Sequence, residues 1–243
     1  MNERLRFLLL GPRLESRRAR LARNGLLGLI AAWVLFTYEP RIVFAHEALH
    51  ERFVFRSDAP IDSNIATVLD RAAEKLRASG IDDPSLRFRL YACNERWRYR
   101  LVAPFSSSAF GVNSAGRIAL NRSDVAADRI YSGERVRTLS GVIAHEATHS
   151  LLRQRYGCVT AARLPGWKSE GICDAVAGES SFPMEMGRAL LGAGEEDPSP
   201  GFSYLKARLM VELLREEGLS WDEIVERRHD EGEVLERLRA RLR

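Results

Sequence analysis

At 243 residues the chain has room for one domain plus an appendage, and its 45% apolar content is enough for an ordinary core. The net charge of +4 does not describe a basic face, because residues 1–24 hold seven arginines and two glutamates, a balance of +5 that leaves −1 for the remainder. That distribution argues against a nucleic-acid partner. Three cysteines, Cys93, Cys158 and Cys173, with no C-x-x-C spacing, make neither a disulfide framework nor a thiolate zinc cluster. One disulfide plus a free thiol, or three buried thiols, both remain open.

The chain divides by composition into a basic, apolar N-terminal segment, residues 1–45, and a domain, residues 46–243. Gly25 to Tyr38 is an unbroken apolar run behind seven arginines. Trp33 and Tyr38 suit a membrane interface, and the arginines suit the cytoplasmic side. The expectation is an uncleaved single-pass anchor, with the domain on the periplasmic or extracellular side; the alternative is a signal segment ending near Val43-Phe-Ala45 and a secreted domain.

In the domain, Arg52–Arg56 reads as a strand, and Ile61–Ser79 as an amphipathic helix closed by Gly80. Leu86–Ala92 alternates as a half-buried strand. Trp97–Val102 fits a strand or an irregular aromatic segment. Ala109–Val112 and Gly116–Asn121 read as two short strands. A long helix is expected from about Gly133 to Tyr156, stopped by Gly157, followed by a turn at Leu164–Trp167 into another helix. Pro183–Leu191, Phe202–Glu217, Trp221–Arg228 and Glu233–Leu242 read as further helices, with a polar loop at Gly192–Gly201. Strands with one helix first, then helices alone, predict an α+β fold with a small mixed sheet and a helical C-terminal half.

The long helix carries His145-Glu146-Ala147-Thr148-His149, an H-E-x-x-H pattern. Positions i and i+4 share a helix face, so both imidazoles can bind one metal ion, and the neighbouring glutamate can polarise a water there. The pattern also stands at His46-Glu47-Ala48-Leu49-His50, so context must choose between them. Only the later copy is followed by Trp167-Lys-Ser-Glu170-Gly171, which offers Glu170 as a third ligand on a second helix. One turn further on, Asp174 can hold a ligand imidazole through its other nitrogen. Glu179 and His229 receive no role.

The later H-E-x-x-H, the W-x-x-E-G stretch and a tyrosine at the start of a later apolar helix together resemble the gluzincin zinc metallopeptidases, notably peptidase-MA-like proteins and the catalytic core of the aminopeptidase-N-like group. The resemblance implies a zincin-like fold with Zn2+ on His145, His149 and Glu170. It also implies Glu146 as general base, Tyr204 as transition-state donor, and a peptide or protein substrate. The aminopeptidase glutamate that reads a free amine is missing from Gly116–Asn121, so exopeptidase activity is not implied. A strand in that place still suits pairing with an extended peptide. The competing expectation is a catalytically silent, membrane-tethered domain that keeps the zincin fold, and a zinc hydrolase of non-peptide amides or esters would use the same metal chemistry.

Overall fold

A computed structural model describes residues 17–38, 43–114 and 116–243. The chain divides into two units, Met1–Ile42 and Val43–Arg243.

The first unit contributes helix α1, Arg17–Tyr38. Its first two turns carry Arg17, Arg18, Arg20 and Arg23, so its apolar part begins only at Gly25. At about 1.5 Å per residue, that part is roughly 21 Å long, short of the roughly 30 Å hydrocarbon core of a bilayer. Among the described residues no helix is long and apolar enough to cross a membrane. This overturns the single-pass anchor expected from residues 1–45.

The second unit is α+β. Strands β1 (His46–His50), β2 (Phe53–Ser57), β3 (Phe88–Ala92), β4 (Gly111–Ser114) and β5 (Arg117–Leu120) form a mixed sheet in the order β1-β2-β3-β5-β4. The β1/β2 and β4/β5 pairs are antiparallel, whereas β2, β3 and β5 run parallel. Parallel neighbours need a crossover. Helix α2 (Ile65–Ser79) makes the one between β2 and β3, and buries Ile65, Val68, Leu69, Ala72, Ala73 and Leu76. Its start lies four residues later than the sequence suggests, and Gly80 ends it at φ +73. Trp97–Val102 is helical, as part of α3 (Arg96–Val102), whose Tyr99 packs with Phe44, Tyr91, Cys93 and Ala119 on one sheet face. Phe53, Phe55, Phe88, Leu90, Ile118 and Leu120 point to the other face and join the main core.

A second, three-stranded antiparallel sheet follows, from β6 (Ser123–Asp124), β7 (Arg129–Ser132) and β8 (Arg135–Thr138). It takes up the residues expected to open the long helix. That helix, α4, spans Leu139–Tyr156, and Thr138 caps it by accepting from the Gly141 N–H at 3.0 Å. Such a cap stabilises a helix by about 1 kcal/mol. Leu139, Val142, Ile143, Ala144, Ala147, Leu151 and Leu152 are buried around α4, so it is the central helix of the core.

The remaining described chain is helical: α5 (Cys158–Arg163), α6 (Gly166–Ala177), α7 (Met184–Ala193), α8 (Pro200–Glu216), α9 (Trp221–Glu226) and α10 (Glu231–Leu242). Helices α6 and α8 pack closely because of Gly171. A Cβ there would stand 2.4 Å from the Ala207 carbonyl oxygen and 2.7 Å from Val211 Cγ2.

Candidate metal centre

The two copies of H-E-x-x-H meet different fates. His46–His50 is strand β1. In a strand, residues i and i+4 share a face but stand about 13 Å apart, too far to hold one ion. Glu47 instead pairs with Arg56 at 2.6 Å, and His50 Nε2 lies 2.6 Å from Asp70 Oδ1. His145, Glu146 and His149 lie in the middle of α4, with the two imidazole centroids 5.2 Å apart.

Helix α6 brings Glu170, Cys173 and Asp174 against α4. One Glu170 carboxylate oxygen is 3.3 Å from His145 Nε2, and the other is 3.7 Å from His149 Nε2. A tetrahedral ion with bonds of about 2.0–2.1 Å would set its ligands about 3.3–3.4 Å apart. On the far side of the ring, His145 Nδ1 lies 2.7 Å from Asp174 Oδ1. This contact leaves Nε2 as the one His145 nitrogen open to a metal, and it fixes the tautomer. Among the described residues, the group whose ligand atoms all lie within 4.8 Å of one another, and which could hold a metal ion, is His145, His149 and Cys173; Glu170, expected as the third ligand, is not in it. Cys173 Sγ lies 3.4 Å from His149 Nδ1, whereas the Glu170 carboxylate approaches Nε2 of the same ring.

Asp174 is fully buried and held from three directions. Arg137 at the end of β8 lies 3.1 Å from Oδ1, and Ser180 Oγ donates to Oδ2 at 2.7 Å. Burial alone would raise its pKa, but the hydrogen bond from His145, the charge of His145 and that of Arg137 bring it down to about 2. Arg137 is itself fixed by Glu179, whose Oε1 is 3.1 Å from Nε and whose Oε2 accepts from the Thr138 hydroxyl at 2.8 Å. Glu179 therefore links the cap of α4 to the support of its first histidine. Arg137, Ser180 and Glu179 are not marked by the sequence, because a lone Arg, Ser or Glu outside the motif carries no spacing signal.

Glu146 faces the sheet edge. A Cβ on Gly111 would lie 2.9 Å from Glu146 Cγ, so only glycine at the start of β4 admits this carboxylate. Burial, with the charge of Glu170 adding to it and that of His145 opposing, lifts the Glu146 pKa to about 7. Asn113 on β4 ties the strand to α4 by donating to the Glu146 carbonyl at 2.5 Å and to Ser150 Oγ at 2.7 Å. The strand beside the site is thus Gly111–Ser114, the edge of the sheet. Arg117–Leu120, expected to pair with a peptide, lies between β3 and β4 and has both edges filled.

Two cavities flank this group. One, of about 280 Å³, is lined by Phe105, Phe110, Arg135, Arg137, Glu146 and Tyr204, among others. The other, of about 370 Å³, includes Asn113, Glu146, His149, Arg153, Glu170 and Tyr204. Tyr204 of α8 borders both, with its ring centroid 6.3 Å from that of His145. Burial first, and then the charge of Glu170, push its phenol up to about 12, so it remains a proton donor at neutral pH. The three cysteines are free thiols: Cys93 and Cys173 are buried, and Cys158 is exposed.

Set against family models, curated proteins and solved structures, the chain finds no match.

Proposed function

We propose that the chain is a zinc-dependent hydrolase of the H-E-x-x-H…E type, with a zincin-like fold, that cleaves peptide bonds. The observation that carries this reading is the meeting of His145 Nε2, His149 Nε2 and the Glu170 carboxylate at 3.3 and 3.7 Å, with Glu146 beside them facing two cavities. The donor set of two imidazoles and one carboxylate fits a catalytic zinc site, which takes three protein ligands and leaves a position open. Bound zinc would supply Lewis acidity to a carbonyl and acidify water toward neutral pH.

The chain's own residues do the rest. Asp174, braced by Arg137 and Ser180, turns His145 so that Nε2 faces Glu170. Glu146, whose carboxyl pKa is lifted by burial to about 7, accepts a proton from the attacking water and passes it to the leaving amine. Tyr204 donates to the oxygen on which negative charge develops. Among the described residues β4 is an edge strand of its sheet, which suits an extended substrate backbone.

A silent binding domain would be favoured by a fourth protein ligand that closed the site, and Cys173 is the candidate for it. Its sulfur meets His149 at Nδ1 and not at the Nε2 that Glu170 approaches, which favours the open reading instead.

The two third-ligand candidates give the test. The zinc-loaded chain is expected to cleave members of a pool of internally quenched peptides. Glu170→Ala should lose both zinc and cleavage, and Cys173→Ala should keep both. Metal analysis and the peptide pool read the outcome. Zinc retained by Glu170→Ala and lost by Cys173→Ala would contradict the ligand set, and no cleavage by the zinc-loaded chain would contradict the activity.

A further inference from the structure

We infer that the cavity on the His149 side of the site recognises a carboxylate of its ligand through Arg153, with Asn113 holding the guanidinium in place. The inference rests on the metallopeptidase reading, because it takes this cavity as part of the ligand cleft.

Arg153 follows His149 by four residues on α4, so it lies on the same helix face about 6 Å further along the axis. It is half-buried and lines the 370 Å³ cavity together with Asn113, His149, Ser169, Glu170 and Tyr204. A guanidinium has five N–H donors in a fixed fork. Arg153 gives one hydrogen bond, to Asn113 Oδ1, and among the described residues no carboxylate pairs with it. Its neighbours differ: Arg137 is matched by Asp174 and Glu179, and Arg155 by Asp222 at 2.9 Å.

Asn113 is not a casual partner. Its Nδ2 donates to the Glu146 carbonyl and to Ser150 Oγ, which leaves Oδ1 to accept from Arg153 and from the Gly116 N–H at 3.3 Å. The same contacts that tie β4 to α4 therefore aim a cation into the cleft. The two acidic side chains of this cavity, Glu146 and Glu170, belong to the metal machinery in the proposed reading. A half-buried planar fork that lines the cavity, with no carboxylate paired to it among the described residues, matches a carboxylate in bidentate geometry. An extended ligand advances about 3.3 Å per residue, which places that carboxylate roughly one to three residues from the reacting carbonyl. It can come from an Asp or Glu side chain or from a free C-terminus.

The test uses the full zinc-loaded chain and two pairs of short peptide hydroxamates. One pair differs only in a terminal carboxylate against a primary amide, and the other only in Glu against Gln. Calorimetry reads the dissociation constants for wild type and Arg153→Met. One carboxylate compound should bind wild type about 10- to 100-fold more tightly than its neutral partner. In Arg153→Met, at unchanged zinc content, that preference should vanish while the neutral compound binds as before, and Arg153→Lys should restore part of it. The pair that shows the preference identifies the source of the carboxylate. Equal affinities within both pairs, no binding of any compound, or a preference that survives in Arg153→Met would overturn the inference. The peptidase reading fails separately, if a chain with the carboxylate preference cleaves no peptide.

Discussion

Glu146→Gln is expected to keep its zinc and to lower the rate of peptide hydrolysis by about 10²–10⁴-fold, the range usual for a lost general base. The substitution is nearly isosteric, which matters here because Glu146 is buried and packed on Gly111 with no room for a larger group. Metal retention is expected because the three proposed ligands are His145, His149 and Glu170, and the distances that bring them together do not involve the Glu146 carboxylate. What the amide loses is the ability to accept a proton. Burial and the charge of Glu170 hold the native carboxyl near pH 7, so it can be ionised when water must be deprotonated and still yield its proton to an amine. Steady-state kinetics on a peptide cleaved by wild type, with metal analysis beside them, read the result. Activity equal to wild type would remove Glu146 from the mechanism.

Gly171→Ala is expected to be the most damaging single methyl group in the molecule's helical half. Gly171 lies on α6 beside Glu170 and faces α8. An added Cβ would stand 2.4 Å from a backbone oxygen, that of Ala207, and backbone cannot rotate away as a side chain can. The helices must separate, and overpacking of this kind costs about 3 kcal/mol. For a domain of this size that is a fall in Tm of roughly 6–12 °C. The displacement acts on the preceding residue, Glu170, so zinc affinity should fall with stability even though no proposed ligand is changed. Thermal melts and zinc titration of the variant check both effects. A Tm within a degree of wild type would mean that α6 and α8 are not held as close as described.

The features legible in the sequence are those with a fixed spacing. The i,i+4 histidines required one helix face, and α4 supplies it. Glu170 and Asp174, four residues apart on α6, meet the Nε2 and Nδ1 sides of the first histidine because that spacing too stacks them on one face. The amphipathic run of α2 and the apolar run of α8 were readable for the same reason. The hairpin β7–β8 is hidden in the sequence because Arg129, Arg135 and Arg137 dilute its alternation and Ile130 alone is buried hydrophobic in it, so the residues of β8 read as the start of α4. Trp97–Val102 misled because its aromatic and arginine residues satisfy a period of two while Tyr99 alone is buried. The supports of the site, Arg137, Glu179, Ser180 and Asn113, come from three separate stretches, and their partnership exists only after the chain has folded. The arginines and the apolar run of residues 1–45 suggested a membrane span, but the apolar part of α1 is too short for one.

The most direct measurement is zinc stoichiometry on the purified chain, wild type beside His149→Ala. One zinc per wild-type chain is expected, and its loss in the variant, because His149 supplies one of only two imidazoles on the shared face of α4. A wild-type chain without zinc, or zinc unaffected by His149→Ala, would contradict the claim that this helix holds the metal.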